Sequence, residues 1–217
     1  MVSHHPDTRL LNEHAAGALD LAPSVCVTLH LNYCEQCRRA HRQLRDLGAG
    51  LFDRLPPQAV SENLMDAVMA RLDHEPEPLS YRATAAAEGC PPLVQRLMQR
   101  DYQDLDWRKI GSQVRICHLR TGDQDNEFAL YHIRAGGRIP RHTHRGTELT
   151  LVLEGSFSDE SGHYEAGDFL MRDGHNQHTP TATRDRDCIC VGVLDAPVRF
   201  TDWRFRAANP FLRLNAC

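Results

Sequence analysis

No run in this 217-residue chain reaches the eighteen or so apolar residues that a membrane-spanning helix requires. The first ten residues, MVSHHPDTRL, hold no apolar stretch behind a basic start, so no secretory signal is expected and the cytoplasm is the expected compartment. An excess of basic charge is missing too: the formal net charge is −4. Residues 1–73 carry seven Arg and no Lys against nine Asp plus Glu. That balance argues against a phosphate-binding surface and against direct contact with nucleic acid. Only Lys109 among the 25 basic residues is a lysine, a usage that reflects coding bias more than mechanism. There is no internal repeat. What the chain does have is eight cysteines and thirteen histidines. In a reducing compartment such cysteines are read as metal ligands, redox centres or buried thiols before disulfides.

The pattern changes once along the chain. Residues 6–73 read as helical. PDTRLLNEHAAG begins with a plausible cap at Pro6-Asp7 and ends at Gly17; DLAPSVCVTLHLNY is a second apolar stretch; EQCRRAHRQLRDLGAG is a third helix stopped by Gly48. A fourth runs from about Pro57 to Asp73, where Val60, Leu64, Met65, Val68, Met69 and Leu72 form one stripe. Four prolines between 76 and 92 suggest a linker, followed by a short helix near 93–101. Short apolar runs punctuated by Gly, Asp and Asn then predominate: SQVRICHLR, EFALYHIRAGG, ELTLVLEGSF, GDFLMRDG and CICVGVLD. They predict a β-sandwich or small barrel.

Two stretches carry metal chemistry. In HLNYCEQC, residues 30–37, a histidine precedes a Cys-x-x-Cys pair. Thiolate and imidazole are the ligands zinc favours. On a straight helix His30 and Cys37 would lie roughly 10 Å apart, too far for one tetrahedron, so the helix must break, around Asn32-Tyr33. His41 lies a further turn along and is a poor fourth ligand. His4, His5 and His14 remain candidates. A redox pair would expect a β-α-β setting that is absent, and a buried thiol pair beside a surface histidine is the plainer alternative. The pattern resembles the zinc-binding anti-sigma domain, a family with an N-terminal histidine and a His-x-x-x-Cys-x-x-Cys motif. The resemblance implies a four-helix bundle with zinc on His5 (His4 being its less favoured neighbour), His30, Cys34 and Cys37.

In GGRIPRHTHRGTELTLVLEG, residues 136–155, His142, His144 and Glu148 share parity. On a strand they would project from one face into a barrel. With Gly136 and Gly155 the spacing matches the first motif of the cupin superfamily. The second cupin motif falls in GDFLMRDGHNQHTP, where His178, eleven residues after Gly167, takes the fourth ligand's place. Asp173 and His175 stand where the family has proline and glycine, and His163 and His175 compete for that place. Three imidazoles and a carboxylate suit zinc, and also manganese, iron or nickel. Hydrogen-bonded histidines without metal are the plainer reading. Cys188 and Cys190 share a face of the last apolar run. They are an oxidant-responsive pair, an extra soft metal site, or small residues filling a core. Cys26, Cys90, Cys117 and Cys217 form no pattern.

A zinc anti-sigma module (1–75), a linker (76–92) and a cupin (93–217) together resemble the ChrR family of negative regulators. The expected fold is therefore α+β in two domains. The resemblance implies capture of a group IV, or extracytoplasmic-function (ECF), sigma factor, with the cupin needed for release in response to singlet oxygen or related oxidants. A metal-dependent cupin enzyme, a dioxygenase or isomerase with a zinc-bound appendage, is the competing class. Any small molecule bound by the cupin is not legible.

Overall fold

The structure is a computed structural model that describes residues 2–72, 104–122 and 124–215. The linker and the short helix expected at 76–101, and Cys90 and Cys217, lie outside the described residues.

Helix α1 (Thr8–Ala15) starts where the sequence predicts, because the Asp7 carboxylate accepts from the Leu10 amide at 2.7 Å. Helix α2 (Leu21–Tyr33) is apolar on every side. Its Ala22, Val25, Cys26, Val27 and Leu29 are buried, as a helix flanked by other elements requires. Cys34 ends α2 in an extended conformation and caps helix α3 (Glu35–Phe52), its sulfur accepting from the Cys37 amide at 3.4 Å. The required break thus falls one residue beyond Asn32-Tyr33. Arg38 donates to the Leu31 and Asn32 carbonyls at 2.8 and 3.1 Å and so closes the end of α2. Gly48 does not stop α3, which runs on to Phe52. Both Gly48 and Gly50 face open space, and a helical glycine costs only about 1 kcal/mol.

Helix α4 (Leu64–Leu72) is shorter than the expected span from Pro57 and buries none of its residues. A four-helix bundle is therefore met, among the described residues, by three packed helices and a fourth whose apolar side chains are exposed.

The remaining elements are strands. β1 (Arg108–Ile110), β2 (Val114–His118), β3 (Glu127–Ile133), β5 (Glu148–Glu154), β8 (Phe169–Arg172) and β11 (Cys188–Leu194) form one antiparallel sheet in the order β1-β2-β3-β11-β5-β8. β6 (Ser156–Asp159), β7 (Gly162–Glu165) and β10 (Thr181–Ala182) form a second sheet. β4 (His142–His144), β9 (Gln177–His178) and β12 (Val198–Phe200) form a third. This is a cupin-like β-sandwich. Gly155 has φ +69°, and a Cβ there would lie 2.1 Å from the Asp187 carbonyl oxygen, so only glycine fits the β5–β6 turn.

Two cores meet at β11. Ile189, Val191 and Val193 pack outward with Leu10, Val25, Leu29, Phe128 and Leu151, joining helices to sheet. Cys188 and Cys190 point inward with Ile133, Val152, Phe157 and Leu170. Burial on both faces explains why CICVGVL is continuously apolar instead of alternating.

Candidate metal centres

The first cluster forms where four segments meet. His5 comes from the extended segment before α1, His30 from the last turn of α2, Cys34 from the α2–α3 junction and Cys37 from the first turn of α3. Their ligand atoms all lie within 4.8 Å of one another. His5 Nδ1 is 3.4 Å from both Cys34 Sγ and Cys37 Sγ. Bonds of about 2.0–2.3 Å to a shared tetrahedral ion would place ligand atoms roughly 3.3–3.8 Å apart, so the spacing fits. His30 donates from Nδ1 to the Gly167 carbonyl at 2.8 Å, which leaves Nε2 with a bare lone pair, buried and without a partner. A cation satisfies that atom. Burial holds the His30 pKa down to about 4, so the ring is neutral. Burial, and then Cys34, push the Cys37 thiol up to about 12; a bound dication reverses that preference.

The other histidines of the helical region are occupied elsewhere. His14 bonds His41 and Thr28, each at 2.9 Å, and His4 lies 3.5 Å from Asp168.

The second cluster is His142, His144, Glu148 and His178, also within 4.8 Å of one another. His142 and His144 lie on β4, but Glu148 opens β5 beyond an intervening turn, so the three do not share one strand. β9 pairs with β4 and sets His178 directly opposite His142. His178 Nε2 lies 3.0 Å from His142 Nε2 and 3.1 Å from His144 Nε2. His144 Nε2 lies 3.3 Å from a Glu148 oxygen. The hydrogen bonds on the far sides decide the tautomers. His142 Nδ1 faces the Pro140 carbonyl at 2.9 Å, and His178 Nδ1 faces the Asp159 carboxylate at 3.0 Å. Both Nδ1 atoms must carry the proton, so two bare Nε2 lone pairs confront each other at 3.0 Å. Such an array is repulsive unless a cation lies between them.

Burial and then His178 lower the His142 pKa to about 4. Burial and then His142 lower that of His144 to about 3. Burial raises that of Glu148. His163 and His175 are exposed and stand outside the cluster. A cleft of about 950 Å³ opens beside it, with His142, Glu148 and His178 on one wall and Ile116, Ile133, Phe157 and Phe200 on others.

Two carboxylates carried no sequence signal. Asp159 bonds His178 and Arg172, and its side chain is fully enclosed. Burial works to raise its pKa, but the His178 hydrogen bond, the Ser161 amide and Arg172 win, and it is held well below the usual carboxylate range. Asp168 accepts from the Ser3 and His4 amides, which precede His5. Cys188 and Cys190 bring their sulfurs to 3.6 Å in the inner core. The Cys188 contact and burial keep the Cys190 thiol protonated.

A family model described as the ChrR cupin-like domain matches residues 95–196. The anti-sigma-E factor ChrR of Cereibacter sphaeroides is 38% identical over 213 residues, covering 98% of this chain and 99% of that protein. The crystal structure of Rhodobacter sphaeroides SigE in complex with the anti-sigma ChrR aligns with a TM-score of 0.80 at 36% identity, covering 89% of this chain and 100% of that one.

Proposed function

Since the chain belongs to the ChrR family of anti-sigma factors, we propose that it binds a group IV (ECF) sigma factor through its helical region and keeps it from core RNA polymerase. Membership sets it among regulators, not enzymes. The observation that carries the reading is the band of apolar side chains exposed from the end of α3 through α4: Leu47, Leu51, Phe52, Met65, Met69 and Leu72. A soluble chain leaves such a band bare when a partner covers it. Among the described residues no helix is long and apolar enough to cross a membrane.

His5, His30, Cys34 and Cys37 would hold zinc, which supplies a fixed tetrahedral cross-link between the N-terminal segment, α2 and α3. His142, His144, Glu148 and His178 would hold a second ion, zinc first and manganese, iron or nickel as alternatives, in the wall of a cleft open to a small molecule. The barrel is the part needed for release under singlet oxygen or a related oxidant.

Co-expression with candidate ECF sigma factors tests the binding claim. The expected result is a stable complex from which Met65→Asp with Met69→Asp drops out while the chain stays folded. Failure of the unaltered chain to retain any such sigma factor would overturn it. Ala at His142 and Glu148 should abolish the oxidant response and leave repression in place; an intact response would remove the barrel from the mechanism.

A further inference from the structure

Strand β8 has one candidate metal centre at each end. At its start, three consecutive residues take hold of the helical cluster. The Gly167 carbonyl accepts from His30 Nδ1 at 2.8 Å. Asp168 Oδ1 accepts from the Ser3 and His4 amides at 2.7 and 3.0 Å, and Oδ2 from the Glu165 amide at 2.9 Å. The Phe169 amide donates to the His4 carbonyl at 3.0 Å, and its ring meets His30 edge-on. His30 is thus oriented directly, and His5 through the backbone just before it. The approach is close enough to demand glycine: Gly167 has φ +95°, and a Cβ there would lie 2.7 Å from Val2 and 2.8 Å from Tyr33.

At the far end of β8, Arg172 reaches the barrel cluster. It donates to Asp159 at 3.3 Å, and Asp159 in turn orients His178. In the β5–β8 register Arg172 also pairs with Glu148. The strand between is only four residues, about 10 Å, and Phe169 and Leu170 are buried in separate cores. A short strand gripped at both ends moves as one piece.

We propose that β8 couples the two centres: through Asp159 and Arg172 at one end and Gly167–Phe169 at the other, the occupancy of the barrel cluster sets how tightly His5, His30, Cys34 and Cys37 hold their metal. The inference rests on the reading of both clusters as metal centres. It gives damage at the barrel a physical route to the unit that grips sigma. Linkage makes the effect reciprocal, so a loosened helical cluster also weakens the barrel's hold.

Cobalt separates the two centres, because only the helical cluster offers sulfur ligands and so only it yields a thiolate-to-cobalt absorption band. The full chain is titrated with cobalt against a chelator, alone and as Asp168→Ala, Asp168→Asn, Glu148→Gln and the Asp168→Ala/Glu148→Gln pair, with circular dichroism confirming the fold. Loss of a residue that orients a ligand typically weakens metal binding about 10–100-fold. Asp168→Ala is expected in that range and Asp168→Asn, which keeps an acceptor oxygen, below it; the Asn variant also serves should the Ala variant not fold. Glu148→Gln, on the adjacent strand opposite the far end of β8, is expected to weaken the sulfur-bound cobalt several-fold, and to add nothing once Asp168 is gone. Helical-cluster affinity unchanged in Glu148→Gln overturns the proposal even where Asp168 matters, since the turn would then be a clamp that carries no signal. No thiolate band in the unaltered chain would instead sink the metal reading itself.

Discussion

At the scale of single residues, three of the five clustered imidazoles are set by a hydrogen bond on the far side of the ring. Gly167 does this for His30, Pro140 for His142 and Asp159 for His178. Each partner fixes a tautomer and turns a bare nitrogen toward the centre. The residues that cluster were legible because their spacing is local: His30, Cys34 and Cys37 lie within two helix turns, and His142, His144 and Glu148 within seven residues. The orienting groups were not, because Asp159 meets His178 across 19 residues and Gly167 meets His30 across 137. Asp159→Ala should therefore cost the barrel cluster about 10–100-fold in metal affinity without unfolding the chain. Metal retention against a chelator, followed by mass spectrometry, checks this; retention equal to the parent would show that His178 is held by packing alone. The cysteine pair makes a second case. Cys188 and Cys190 are 0% and 3% exposed, and the Cys190 thiol is held in its protonated form. Only the thiolate is a good nucleophile. Both should resist alkylation by iodoacetamide in the native chain and react only on unfolding; rapid native labelling would restore them as an oxidant-responsive pair.

At the scale of elements, sequence pattern and structure part where tertiary packing overrides local preference. α3 passes Gly48 and Gly50 because its periodic face and its Glu35–Arg38, Arg39 and Arg42 ion pairs outweigh two weak positions. Strands β9 and β10, two residues each, have no pattern of their own and exist because β4 and β6 pair with them. Leu64, Met65, Val68, Met69 and Leu72 of the expected stripe fall on α4 while Val60 lies before it, and periodicity does not say what covers them. The structure leaves Met65 69% and Leu72 71% exposed. That exposure separates binding from stability. Met65→Asp and Met69→Asp should each change unfolding free energy by less than about 0.5 kcal/mol, as surface changes do. Burying a charge against an apolar partner should cost at least about 2 kcal/mol of sigma binding, some thirtyfold. Denaturation curves beside titration calorimetry check the split. Equal loss in both would place α4 in a core of this chain and remove it from the interface.

At the scale of the whole molecule, the helical region and the sandwich share a core. The sequence reads as two modules because each has its own period, and the face each turns to the other is hidden inside runs without a distinct polar face, α2 and β11. Leu29 of α2 is fully buried in the same cluster as Leu151 of β5 and Val191 of β11. If that cluster is a single packed body, damage to it from the helical side must be felt by the sheet. Leu29→Ala removes three carbons from a closed site, a change that costs about 2–5 kcal/mol. In a chain of this size the melting temperature should fall on the order of 10 °C. Near-ultraviolet circular dichroism, weighted by aromatics of the sandwich, should report the same displaced, single transition as helix content at 222 nm. Two separate transitions, with only the helical one shifted, would show instead that α2 rests on the sheet without being part of it, and the route through β8 would then have to carry communication between the two halves unaided.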